Sequence, residues 1–213
     1  MGSHSNGMHH TPLARAVLLS VLGGCSLAAC AGSDHTSSRA GAPPPTQAAS
    51  ERGFGWLRPG RAPRAWSAVT SSSGQLTLSY PPTWKTLRGD LGSVTAAVRD
   101  ARGVYVGYLN ATPRQGGERL RGWARYRTEH NFAEGDRDVR ETAAAEGLRF
   151  IGAHGSCVID DYLSRVGSNR YREIACIVAG EHASGVFIGA ALVADWRQIY
   201  PVLERAAAAF RER

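Results

Sequence analysis

Cys157 and Cys176 constrain this chain more than any other pair of residues. Between them lies the turn-forming tetrapeptide Val166-Gly167-Ser168-Asn169, flanked by strand-like runs over residues 148–163 and 171–178. A hairpin folded there sets the two cysteines opposite each other. The same register places Ile159 against Ile174, Asp161 against Arg172 and Tyr162 against Tyr171, all favourable cross-strand neighbours. It also sets Asp160 against Glu173, two like charges, which counts against it. A bridge closing a loop of this size stabilises by about 3 kcal/mol on the chain-entropy model. Two buried free thiols are the alternative reading, whereas a redox-active pair would call for Cys-x-x-Cys spacing.

The rest of the domain follows from the same kind of periodicity. Leu76, Leu78 and Tyr80 share one face of an extended segment that Pro81-Pro82 ends, after which Trp84 turns back toward a core. Residues 93–99 and 104–111 read as strands joined by Asp100-Ala101-Arg102-Gly103. Gly116-Gly117 opens a helical stretch over 118–132, with Leu120, Trp123 and Ala124 on one face and Arg119, Arg121, Arg125 and Arg127 pointing elsewhere. A polar turn over 134–138 leads to three strands, 148–163 (broken near Gly152 or Gly155), 171–178 and 186–193. Asp195 begins a terminal helix striped by Trp196, Ile199, Tyr200, Leu203, Ala206, Ala207 and Phe210. Pro201 requires that its first turn be separate or that the helix start near Tyr200. Strands, helix, strands, helix describe an α+β domain over residues 69–213: a mainly antiparallel sheet with two packed helices.

The N-terminus supplies an address. Residues 1–29 read as a signal peptide, with one cation, Arg15, no acid, an apolar stretch over 16–24 and small residues before Cys30. That stretch falls short of the roughly 20 apolar residues a spanning helix needs. Leu27-Ala28-Ala29-Cys30 resembles the lipobox of bacterial lipoproteins, in which the cysteine receives a diacylglyceryl group, a peptidase cuts before it and further palmitate-type acylation follows. Leu22-Gly23-Gly24-Cys25 fits a looser form of the pattern, so Cys25 is the alternative to Cys30. In an exported domain left with only Cys157 and Cys176, an even cysteine count reads first as a disulfide.

Residues 30–68 read as a lipid-anchored, disordered spacer rich in Gly, Ala, Ser, Pro and Thr, including Pro43-Pro44-Pro45. Its five arginines outnumber its two acids, and cations near an anionic bilayer attract it by roughly 1 kcal/mol each. A solvated Arg-containing linker is the plainer alternative. Trp56 and Trp66 dock onto the domain or the membrane interface. Nucleic acid is not an expected partner, because an exported lipoprotein does not meet it and no basic stretch interleaves with stacking aromatics.

The formal charge of +7 is modest, and nothing in the chain nominates a catalyst or a cofactor. No phosphate-binding glycine loop, nucleophile elbow or His-Glu-x-x-His stands in it. Asp160 and Asp161 are adjacent on a strand and so face opposite sides. His130, His154 and His182 are isolated in sequence, so no metal site is expected.

The run Leu76-Thr77-Leu78-Ser79-Tyr80-Pro81-Pro82-Thr83-Trp84 resembles the opening of PsbP-like domains: a strand entering a Tyr-Pro-x-x-Trp turn, a helix crossing the sheet midway and a final helix after the last strand. With its lipobox and Pro-rich tether, the chain is similar in plan to actinobacterial envelope lipoproteins of the LpqN type. The two cysteine-bearing segments depart from the general PsbP pattern. The resemblance implies a non-catalytic accessory or protein-interaction module on the extracytoplasmic face of the cell membrane, held by a diacylglyceryl cysteine and meeting an envelope protein partner. A carrier or sensor of a small hydrophobic ligand is the alternative, and a hydrolase with an unrecognised site the third.

Overall fold

The computed structural model describes residues 53–212. Cys25, Cys30 and the expected signal peptide lie outside the described residues. The chain runs through β1 (Ser67–Thr70), β2 (Leu76–Tyr80), β3 (Lys85–Leu87), β4 (Val94–Arg99), β5 (Tyr105–Pro113), α1 (Trp123–Ala133), β6 (Arg137–Phe150), β7 (Ala153–Leu163), β8 (Arg170–Ala179), β9 (Ser184–Leu192), α2 (Trp196–Ala209) and β10 (Arg211–Glu212). A seven-stranded sheet has the order β3-β4-β5-β9-β8-β7-β6, and a three-stranded sheet has the order β1-β2-β10. Every pairing is antiparallel, which makes this an α+β protein.

Strand alternation gives the large sheet two different faces. Leu109, Ile174, Cys176, Val178 and Phe187 point to one face and pack with Leu203, Ala206 and Phe210 from the end of the chain, joined by Leu76 and Leu78 of the small sheet. Full burial of a Leu or Phe side chain contributes about 1.5–3 kcal/mol, so this cluster is the main source of stability. The opposite face carries a small cluster, Val158, Ala175, Ile177 and Val186, under Trp123 of α1.

The hairpin has the expected register. Cys157 faces Cys176 with their Cα atoms 4.1 Å apart and a disulfide between them, and Asp160 does stand opposite Glu173. Elsewhere the structure departs from the sequence reading in four places. The packed region begins before residue 69: Phe54 and Leu57 are buried in the core, and the Gly60 N–H donates to the Ala208 carbonyl at 3.0 Å, so two apolar side chains are enough to hold a spacer-like segment. Helix α1 starts at Trp123, because Gly122 takes a left-handed conformation (φ 75°) that interrupts the helical path. Residues expected as a polar turn flow into the 14-residue β6, an edge strand whose register shifts at several places against β7. Pro201 lies inside a continuous α2 on its exposed side, where water can reach the backbone carbonyl left without a donor.

Candidate functional site

The like-charge pair is the centre of the site. Asp160 of β7 and Glu173 of β8 are both 0% exposed and share the face covered by α1. Two carboxylates cannot remain there without compensation, because burial disfavours charge and each charge disfavours the other. Compensation comes from α1. The Arg127 guanidinium donates to both Glu173 oxygens, at 2.6 Å from Nε and 3.1 Å from Nη2. One turn on, Asn131, 1% exposed, donates from Nδ2 to Asp160 Oδ2 at 3.4 Å and to Glu173 Oε1 at 3.3 Å. One cation thus faces two carboxyl groups, and the balance is met by a proton. Burial, and then Glu173, push Asp160 up to about 9. Burial opposes the charge on Arg127, but the Glu173 carboxylate overrides it and keeps the guanidinium protonated.

Next to this network the sheet presents tyrosines. The Tyr108 and Tyr162 hydroxyls are 3.1 Å apart, the Tyr162 and Tyr171 rings stack at 6.0 Å, and Tyr171 donates to the Tyr105 carbonyl at 2.8 Å. Burial and the neighbouring Glu173 carboxylate raise Tyr108 well above its ordinary value, so its hydroxyl keeps its proton. These four tyrosines line an open groove of about 820 Å³, with Glu134 and Asp136 from the turn after α1 and Arg165 and Val166 from the β7–β8 hairpin at its sides. Val166 is 76% exposed. Ser164 also lines the groove, but its hydroxyl donates to the Val166 carbonyl at 2.8 Å and accepts from the Asn169 N–H at 3.2 Å, which fixes the hairpin tip.

Asp161 faces away from Asp160. It takes two hydrogen bonds from Arg172, at 2.6 and 2.9 Å, and one from Arg140 at 3.4 Å, and Arg172 in particular holds its carboxyl below the usual range. His130 lies 3.2 Å from Glu134 and stacks on Tyr126, while His182 lies 3.8 Å from Glu181. Among the described residues no group of three His, Cys, Asp or Glu side chains is arranged to hold a metal ion. The sequence reading missed Arg127 and Asn131, whose partners are 46, 42 and 29 residues away. A signal was present all the same, since a register that buries two opposed acids demands a cation from elsewhere.

No protein-family model and no curated protein matches this chain. Solved structures do. A protein from Bacteroides thetaiotaomicron matches with 11% identity and a TM-score of 0.43, covering 70% of this chain and 49% of that one, so this chain spans about half its length. LpqN of Mycobacterium tuberculosis, involved in cell envelope biogenesis, matches with 11% identity and a TM-score of 0.42, over 68% of this chain and 89% of that one. Cyanobacterial PsbP (CyanoP) from Synechocystis matches with 14% identity and a TM-score of 0.51, over 72% of this chain and 96% of that one. The similarity to CyanoP over most of both chains, together with the antiparallel sheet and its helices, makes this an α+β, PsbP-like fold.

Proposed function

We propose that this chain is an exported envelope lipoprotein, acylated at Cys30, whose PsbP-like domain is a non-catalytic module that captures a segment of another envelope protein in the tyrosine groove. The groove carries this reading. Tyr105 and Tyr108 are partly exposed there, with Tyr162 and Tyr171 buried behind them; tyrosine offers apolar area with a polar tip at low entropic cost, which is why it is enriched in recognition surfaces. The Arg127–Glu173–Asp160–Asn131 hydrogen bonds beside it tie α1 to the sheet, and a pre-organised surface loses less on binding. The lining offers groups for recognition and no activated nucleophile, since Ser164 is engaged in its own turn. Among the described residues no helix is long and apolar enough to cross a membrane; in this reading the acylated cysteine supplies the attachment.

Photo-cross-linking from position 166 in intact cells tests the reading. A reproducible envelope partner that is lost in Tyr105→Ala, a partly exposed lining residue, supports it; repeated absence of any partner at native abundance refutes it. The volume of the groove also suits a small molecule, which favours a ligand carrier as the second reading. Native mass spectrometry of protein from its own host separates the two, because a carrier retains its ligand. The anchor is tested by fatty-acid labelling, which Cys30→Ala should abolish; labelling that survives and depends on Cys25 would move the lipobox.

A further inference from the structure

Between Arg52 and Gly89 the sequence holds five arginines, one lysine and no acid. The structure fixes part of this run against the domain. Phe54 and Leu57 are sunk in the core and Gly60 is hydrogen-bonded to Ala208 at the end of α2, while Arg58, Arg61 and Arg64 stand exposed. Two hollows border the segment. In one, of about 730 Å³, Arg58 and Pro59 face Leu148 and Arg149; in the other, of about 370 Å³, Arg61, Pro63 and Trp66 meet Arg211. Trp56 is half-buried at the start of the segment, its indole N–H held by the Gly53 carbonyl at 2.8 Å and its ring edge-on to Tyr200. Glu204 lies beside Tyr200, and burial pushes Glu212 up to about 7, so at neutral pH it carries only part of a negative charge.

We propose that this arginine face is a docking surface for anionic phospholipid headgroups and lays the N-terminal edge of the domain against the bilayer. Long arginine stems around partly buried indoles are the composition of a membrane–water interface. Each cation close to an anionic surface strengthens binding about fivefold. The presence of a bilayer beside this edge rests on the anchored reading above, since the segment continues directly into the spacer that follows Cys30. The binding itself does not require acylation, so the two can fail separately.

The full chain carrying Cys25→Ala and Cys30→Ala, which cannot be acylated at either site, is titrated with phosphatidylcholine vesicles with and without an equal share of phosphatidylglycerol. Tighter binding to the anionic vesicles is expected, weakened by salt. The triple substitution Arg58→Gln/Arg61→Gln/Arg64→Gln should remove about a hundredfold of that preference. Arg119→Gln/Arg121→Gln/Arg125→Gln takes the same charge from exposed positions on and before α1 and should cost less than about threefold. All six arginines are exposed, so neither triple is expected to disturb the fold. Equal losses from the two triples would mean that binding follows net charge and would overturn the proposal. Absence of any preference for anionic vesicles would do the same.

Discussion

One sheet carries two faces built on opposite principles. Beneath α2 lies a dry cluster of Leu, Ile, Phe and a disulfide; beneath α1 lie two carboxyl groups, a guanidinium, an amide and a fringe of tyrosines. The helices match their faces. α2 has a strong apolar stripe, whereas α1 has almost none and buries only Trp123 and Asn131 fully. A face of the first kind tolerates many apolar sequences, because volume is what matters. The second admits only particular residues at particular positions, which is how a buried polar network specifies a single arrangement.

Four variants probe that contrast. Arg127→Met leaves the buried carboxyls without their cation and should cost about 4 kcal/mol, read by denaturant unfolding; a cost near zero would mean that the polar face is not built around an ion pair. Leu203→Ala, fully buried on the apolar face, should cost about 3 kcal/mol, with binding in the groove unchanged. Cys157→Ala/Cys176→Ala should cost a similar amount, about 3 kcal/mol, and the wild type should lose the same stability on reduction.

The last effect has the opposite sign. Asp160 holds its proton up to about 9 in the folded protein, but the unfolded chain releases it in the ordinary carboxylate range. Between those limits the folded state binds the extra proton, so the contribution of Asp160 to stability is greatest at low pH and falls as pH rises through the window. Asp160→Asn removes the need for that proton, so it should stabilise the protein at pH 8 and flatten the slope. Thermal melts from pH 5 to 9 decide this; an unchanged slope would place the proton elsewhere.

Local pattern made the apolar face legible in advance. The stripe of α2, the alternation of Leu76 and Leu78 and the mirror placement of Cys157 and Cys176 each read directly from spacing, because the period of a helix or strand is a local property. The polar face was hidden because it is assembled across the chain: Arg127 and Asn131 look like the solvated side of a helix until α1 is laid over β7 and β8. Edge elements were the other loss. β6 shows no clean alternation because its bulges break the period, and Phe54 and Leu57 are too few to stand out from a spacer-like composition. The groove was not legible at all, since its tyrosines come from β5, β7 and β8, and only Tyr162 and Tyr171 could be paired from the sequence.

The bridge between β7 and β8 has a consequence beyond stability. These strands differ so sharply from one face to the other that slipping their register by one residue would not merely misalign them. It would bring Asp160 or Glu173 under α2, into a cluster with no donor for either, and send Ile159 or Ile174 into the polar network in exchange. Covalently joining the one cross-strand pair that must stay opposed makes such a slipped hairpin unreachable once oxidation is complete. The cysteines thereby act as a proofreading device for sidedness, guarding a site to which they contribute no atom.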